Sequence, residues 1–162
     1  FGGCGTEMGY LYCTVPADSM VHISGPWQLS LFRPEWPISR LKLELVPVWQ
    51  IALNGLVVVE SHGEAWSDIM RTVLYGQKPR VEWSAEPGIM PVLDDELLGK
   101  IKGVYDVCVK RFGHLVAEEM TDWQRLGDKV EQTTFADGTV VVADFENQTL
   151  QVNGETIGRP AP

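Results

Sequence analysis

Apolar and polar positions divide the chain into four stretches. Residues 1–40 are irregular: glycines at 2, 3, 5, 9 and 25 and prolines at 16, 26, 34 and 37 interrupt short apolar pieces such as Tyr10-Leu11-Tyr12. That stretch predicts long loops with at most one short strand or helix, and loops of such length without structure of their own are usually either functional or unsupported. Leu41, Leu43 and Leu45 then alternate with Lys42 and Glu44, the two-residue period of a half-buried strand. Residues 46–53 continue as a mostly apolar run, like a strand covered on both faces. Asn54-Gly55 follows, and then Leu56-Val57-Val58-Val59; taken alone, Asn-Gly between two β-rich runs signals a hairpin.

Ser61 and Glu64 have capping-box spacing, and Trp66, Ile69, Met70 and Val73 share one helical face. Gly76 is placed to end that helix, predicted over 64–75. Residues 78–88 read as a linker with a short extended piece over 80–83. Asp94-Asp95-Glu96 complements the positive end of a helix dipole. Leu97, Ile101, Val104, Cys108, Phe112 and Leu115 recur at helical steps, with Met120 and Trp123 flanking. Helix is predicted over 94–112 and on to about 119, broken at Gly113. Residues 129–135 and 139–145 flank Ala136-Asp137-Gly138, and residues 149–152 and 155–157 flank Asn153-Gly154, which predicts two consecutive hairpins.

The length, 162 residues, suits one domain or two small ones and falls short of a complete eight-fold (β/α) barrel. Hydrophobic residues make up 44% and charged residues 22%, ordinary globular proportions that exclude a disordered chain. A net charge of −9 opposes phosphate backbones, so no nucleic-acid partner is expected. No apolar run approaches the ~20 residues of a membrane helix, so no membrane partner is expected either. The chain opens on Phe1 without a charged, then apolar, leader, which points to an N-terminus made by processing or cleavage. Cytoplasmic and secreted bacterial locations both stay open. Cys4, Cys13 and Cys108 form neither a disulfide framework nor a zinc pattern; a Cys4–Cys13 bridge and free thiols both remain open.

Glu7, in Gly5-Thr6-Glu7-Met8-Gly9, is a carboxylate flanked by glycines that let backbone approach a ligand. Glycosidases use a pair of such carboxylates; the plain alternative is a solvated loop glutamate. Six tryptophans outnumber both Phe and Tyr, and indole faces stack on sugar rings as readily as they pack in cores. Trp27 and Trp36, in the loop-rich region, are candidates for ligand contact; Trp49 suits either role, and Trp66 falls on the buried helix face. His62, beside the expected helix start, is a candidate for lining a site. The three histidines lack metal-ligand spacing, and no phosphate loop or dinucleotide fingerprint is present, so neither metal nor cofactor is expected.

The C-terminal half resembles a particular junction. Glu119-Met120-Thr121-Asp122-Trp123, followed by Val130 through the Thr134-Phe135-Ala136-Asp137-Gly138-Thr139 turn to Ala143-Asp144-Phe145, is similar to the barrel-to-sandwich junction of large glycoside hydrolases related to endo-α-N-acetylgalactosaminidase. Those families usually end the last strand in V-N-F, so Ala143-Asp144-Phe145 is a mild departure. Residues 46–55 resemble the last barrel strand, "P-L-x-Q-L-V-x-H-G", with Asn54 standing where His is common. Residues 72–79 resemble the "L-L-Y-G-x-x-P" helix end, and Gly5-Thr6-Glu7-Met8-Gly9 a glycine-flanked "S-E-G" loop.

The resemblance implies an α+β chain: the last strand and helix elements of a (β/α) barrel over 1–123, with a helical segment, then antiparallel β-hairpins over 124–162. It implies hydrolysis of glycosidic bonds by a carboxylate pair, with Glu7 as the catalytic group present and the nucleophile outside this chain. Carbohydrate is the implied partner. Trp49 and Asn54 are the implied sugar contacts, Asn54 at the carboxyl end of the last barrel strand, where barrel enzymes keep functional groups; Trp27, Trp36 and His62 stand beside them as the candidates read from their own positions. On this reading the isolated chain is inactive and its exposed strand edges favour self-association. Three readings stay beside it: the Asn54-Gly55 hairpin, a non-catalytic carbohydrate- or protein-binding α+β module, and an α+β structural domain.

Overall fold

The computed structural model describes residues 5–7, 19–21, 47–61, 65–81 and 94–160. The alternating leucines at 41–45, Cys4, Cys13, Trp27, Trp36 and His62 lie outside the described residues. Two sheets organise the rest. β1 (Gly5–Glu7), β2 (Ser19–Val21) and β3 (Val58–Glu60) pair in parallel in that order. Lys78 extends the same sheet by a parallel bridge to Glu60. Five further strands form an antiparallel meander: β4 (Met120–Arg125), β5 (Val130–Phe135), β6 (Val140–Asp144), β7 (Thr149–Val152) and β8 (Glu155–Ile157). The chain is thus α+β, as expected.

Residues 46–53 are not a strand. Val48–Leu53 is a short helix, α1, with Pro47 at its head. The Ile51 and Asn54 amides donate to the Pro47 and Gln50 carbonyls at 2.9 and 3.0 Å. Exposure follows the helical period: Val48 and Ile51 are exposed while Gln50 is buried. A short apolar run carries no periodicity that separates helix from strand, and a proline costs little at a helix start. The Asn54-Gly55 hairpin does not form either. Gly55, at φ +81°, turns the chain out of α1 and into β3, which pairs with β2.

Ser61 does not begin the following helix. α2 (Trp66–Leu74) starts after Ala65, whose amide donates to the Asp68 carboxylate at 3.2 Å. Ser61 instead closes the turn between β3 and Lys78. Its amide donates to the Lys78 carbonyl at 2.9 Å, and the Lys78 amide donates to Val59 at 2.8 Å. The Thr72 hydroxyl donates to the Asp68 carbonyl at 2.8 Å and sits 2.7 Å from Ser61 Oγ. β3, α2 and Lys78 therefore make one βαβ unit.

Asp94 caps α3 (Asp95–Val104), accepting the Leu97 amide at 2.9 Å. The expected continuation to 112 is present but widens into a π-helical stretch, Tyr105–Arg111, closed by the Phe112 amide donating to Val107. The extra residue per turn rotates Val107, Cys108 and Phe112 into the core. A 3₁₀ turn, Gly113–Ala117, follows the break at Gly113. Met120 and Trp123 belong to β4, not to a helix: Met120 pairs with Phe135 and Trp123 with Thr133. β4 has a single buried position, Met120, so no two-residue alternation marks it. A division at 123/124 falls within this strand.

The predicted turns form with the expected residues. Asn153 and Gly154 take φ 51° and 81°, the left-handed pair a two-residue hairpin needs. Asp137 accepts the Thr139 amide at 2.8 Å.

α2 lies across the meander and carries the main core. Its buried residues, Trp66, Ile69, Met70, Val73 and Leu74, pack with Cys108 and Leu115 below and Phe135, Val141 and Leu150 of the sheet. Polar anchors run along its length. The Trp66 indole donates to the Gln148 carbonyl at 2.8 Å, Arg71 stacks 4.6 Å from the Phe145 ring centroid, and the Tyr75 hydroxyl donates to Glu131 at 2.5 Å.

Gly76 ends α2 at φ +57°, and its place is crowded. A Cβ there meets Asn54 Nδ2 and the Leu115 carbonyl oxygen at 2.6 Å and the Phe135 ring at 2.9 Å. Gly138 also has positive φ, +87°, but nothing lies within 4 Å of its Cβ position. Gly138→Ala is therefore expected to cost about 1 kcal/mol, the conformational term alone, and Gly76→Ala about 2–4 kcal/mol. Urea denaturation of both variants compares them; equal losses contradict the crowding.

Burial pushes the Cys108 thiol from 9.0 up to about 12. The folded chain then holds a proton that the unfolded chain releases, so this contribution is complete below pH 9 and lost as pH rises toward 12. Cys108→Ala is expected to flatten the fall of stability with pH over that window, measured by denaturation at several pH values. An unchanged slope contradicts it.

Candidate functional site

The register of the parallel sheet sets four residues in one transverse row. Glu7 is opposite Val21, Val21 opposite Glu60, and Glu60 opposite Lys78. Glu7, Val21 and Glu60 are the last residues of β1, β2 and β3, so the row is the carboxyl edge of the sheet. Sheets of this kind bind ligands outside their carboxyl ends, where loops leave the strands and no further ladder bonds use the backbone. Glu7, expected in a loop, is thus the end of a strand, a position that suits a reacting group equally well.

Glu60 is the row's best-defined side chain. Lys78 Nζ lies 2.9 Å from its Oε1, with 20% of the Glu60 side chain and 57% of the Lys78 side chain exposed. Side chains alternate along β3. Val59 is fully buried, and Ser61 reaches Thr72 of α2. Glu60 therefore points to the face of the sheet away from α2. Neither Glu60 nor Lys78 stands out in sequence: they are separated by the whole of α2, and only the βαβ return brings them together. The signal available was that return itself, a β-rich run, a helix and a second extended piece.

The expected substrate contacts separate. Asn54 is buried at the opposite end of β3, before the strand begins. Its carboxamide donates to the Leu115 carbonyl at 3.2 Å and the Glu118 carbonyl at 2.8 Å. Its place at the carboxyl end of a barrel strand is corrected: residues 46–53 are helical, so Asn54 follows a helix and joins two parts of the fold. Trp49 is described through its backbone, within α1, on that same side of β3. Trp66 is a core residue.

A second polar cluster lies between α2 and the meander. Glu131 Oε2 accepts from the Tyr75 hydroxyl at 2.5 Å and from Trp123 Nε1 at 3.1 Å. Burial first, and the Glu131 charge second, push the Tyr75 hydroxyl far above its ordinary 10.0, so it stays a neutral donor. Both donors are consumed within the cluster, and Arg125 stacks over Trp123 at 5.5 Å. These bonds dock α2 on the sheet.

Among the described residues, no group of three or more His, Cys, Asp or Glu side chains is arranged to hold a metal ion. No described helix is long and apolar enough to cross a membrane.

A parallel βαβ unit leading through helices into an antiparallel meander is a fold that occurs within a glycoside hydrolase. Solved structures of the alpha-N-acetylgalactosaminidase NagBb from Bifidobacterium bifidum share it. A quadruple mutant of that enzyme matches over 92% of this chain with a TM-score of 0.62 and 17% identity. Its GalNAc complex matches over 88% with a TM-score of 0.59 and 18% identity. The chain spans 23% of the length of either, and at such identity the likeness is one of fold. No family model matches the chain, and no curated protein does.

Proposed function

We propose that this chain is part of a glycoside hydrolase: the closing strand and helix elements of a (β/α)-barrel catalytic domain, followed by the opening strands of a β-sandwich. The supporting observation is the position of Glu7 at the end of a parallel strand, in the same transverse row as Glu60. Glycosidases cleave the bond between two carboxylates, one protonating the leaving oxygen and the other attacking or activating water. Glu7 supplies one of them. The other is contributed from outside the described residues, and the whole enzyme needs both. Trp27, Trp36 and His62 remain candidates for sugar contact. The division between barrel and sandwich parts belongs just before Met120, which keeps β4 with its partner strands.

The fold likeness to an alpha-N-acetylgalactosaminidase makes an α-linked N-acetylgalactosamine the first substrate to try. The test is hydrolysis of an aryl α-N-acetylgalactosaminide by the full protein that carries this chain, beside its Glu7→Gln variant. Glu7→Gln is expected to lower kcat on the order of 10³-fold. A variant within a few-fold of wild type removes Glu7 from catalysis. Sugar binding by the wild type without turnover of this or related aryl glycosides favours a non-catalytic carbohydrate-binding module.

A further inference from the structure

Glu60 and Lys78 form a charged pair that stability does not account for. An ion pair with one exposed partner contributes ~0–1 kcal/mol. Yet the fold holds this pair at the end of three paired strands, through the βαβ return that sets Lys78 beside Glu60. Its carboxylate is largely withdrawn from water, on the face of the sheet that α2 does not cover, and Lys78 engages Oε1. The row continues through Val21 to Glu7, two strand spacings away, or about 9–10 Å between backbones.

We propose that Glu60 and Lys78 bind the hydroxyl groups of a sugar ring whose glycosidic bond lies toward Glu7. The inference rests on the glycosidase reading. A carboxylate accepts hydrogen bonds from two neighbouring ring hydroxyls, and an ammonium beside it donates to the oxygen of one of them. Such charge-assisted bonds are the stronger ones available to a neutral ligand. Lys78 also holds the Glu60 carboxylate in place through its 2.9 Å contact with Oε1. Val21, between the two glutamates in the row, is itself uncharged. Glu60 and Lys78 are therefore binding residues and take no proton in the reaction; Glu7 stands at the reacting end of the row.

Calorimetric titration of the full protein with free hexoses and N-acetylhexosamines tests this, with Glu60→Gln and Lys78→Met as variants. Glu60→Gln is expected to weaken the sugar that wild type binds by roughly 10- to 100-fold, and Lys78→Met by less. A monodeoxy sugar lacking the contacted hydroxyl should bind wild type and Glu60→Gln alike, which a merely structural loss does not produce. Thermal unfolding of both variants close to wild type shows that the fold is kept. Unchanged affinity in Glu60→Gln overturns the pair's role, as does a wild type that binds none of these sugars. The Glu7→Gln assay separates the two ideas. If it loses turnover while Glu60→Gln binds normally, only the hydroxyl-binding pair fails. If it keeps turnover while Glu60→Gln binds weakly, only the assignment of Glu7 fails.

Discussion

The carboxamide of Asn54, buried between the Leu115 and Glu118 carbonyls, is where the two sheets of this fold are joined. Those two carbonyls lie at the end of the 3₁₀ turn, where Leu115 also accepts the Glu118 amide at 3.3 Å. Asn54 adds a donor to each from a residue placed just ahead of β3. The neighbouring glycines make room for it. A Cβ on Gly55 comes within 3.1–3.2 Å of backbone at Ala117, Glu118 and Glu119, and one on Gly76 collides with Asn54 itself. Two turns and an amide thus occupy a space in which no side chain fits.

This junction fixes where α2 lies. Gly76 ends the helix beside Asn54, so the helix that returns the chain from β3 to Lys78 is the same helix that covers the meander. One element serves both sheets. Its buried face points at Phe135, Val141 and Leu150, and its hydroxyl-bearing Thr72 touches Ser61 at the end of β3. The carboxyl edge with Glu7 and Glu60 is therefore connected, through α2, to the meander.

The readable parts of the sequence were those in which cause and effect lie close together. The apolar stripe of α2, the Asp94 cap, the break at Gly113 and the Asn153-Gly154 turn are each set by residues within a turn or two. The parts not readable depend on distant partners. Residues 46–53 look like a strand because a short apolar run is silent about its period, and Pro47 suits the head of a helix. β4 is hidden because Met120 is its one buried residue. Asn54 looked like a ligand group since its partners lie 61 and 64 residues away, where no local pattern reveals them. Glu60 acquires its place from the βαβ return, and Glu7 from the strands beside it.

Native-state hydrogen exchange of Asn54→Ala, compared with wild type, tests the junction most directly. Removing the carboxamide leaves the Leu115 and Glu118 carbonyls without those donors, so protection should fall together in β3, in α2 and in residues 113–119. Exchange that changes only at the amides next to residue 54, with α2 as protected as before, contradicts the claim that this amide holds the two sheets as one unit.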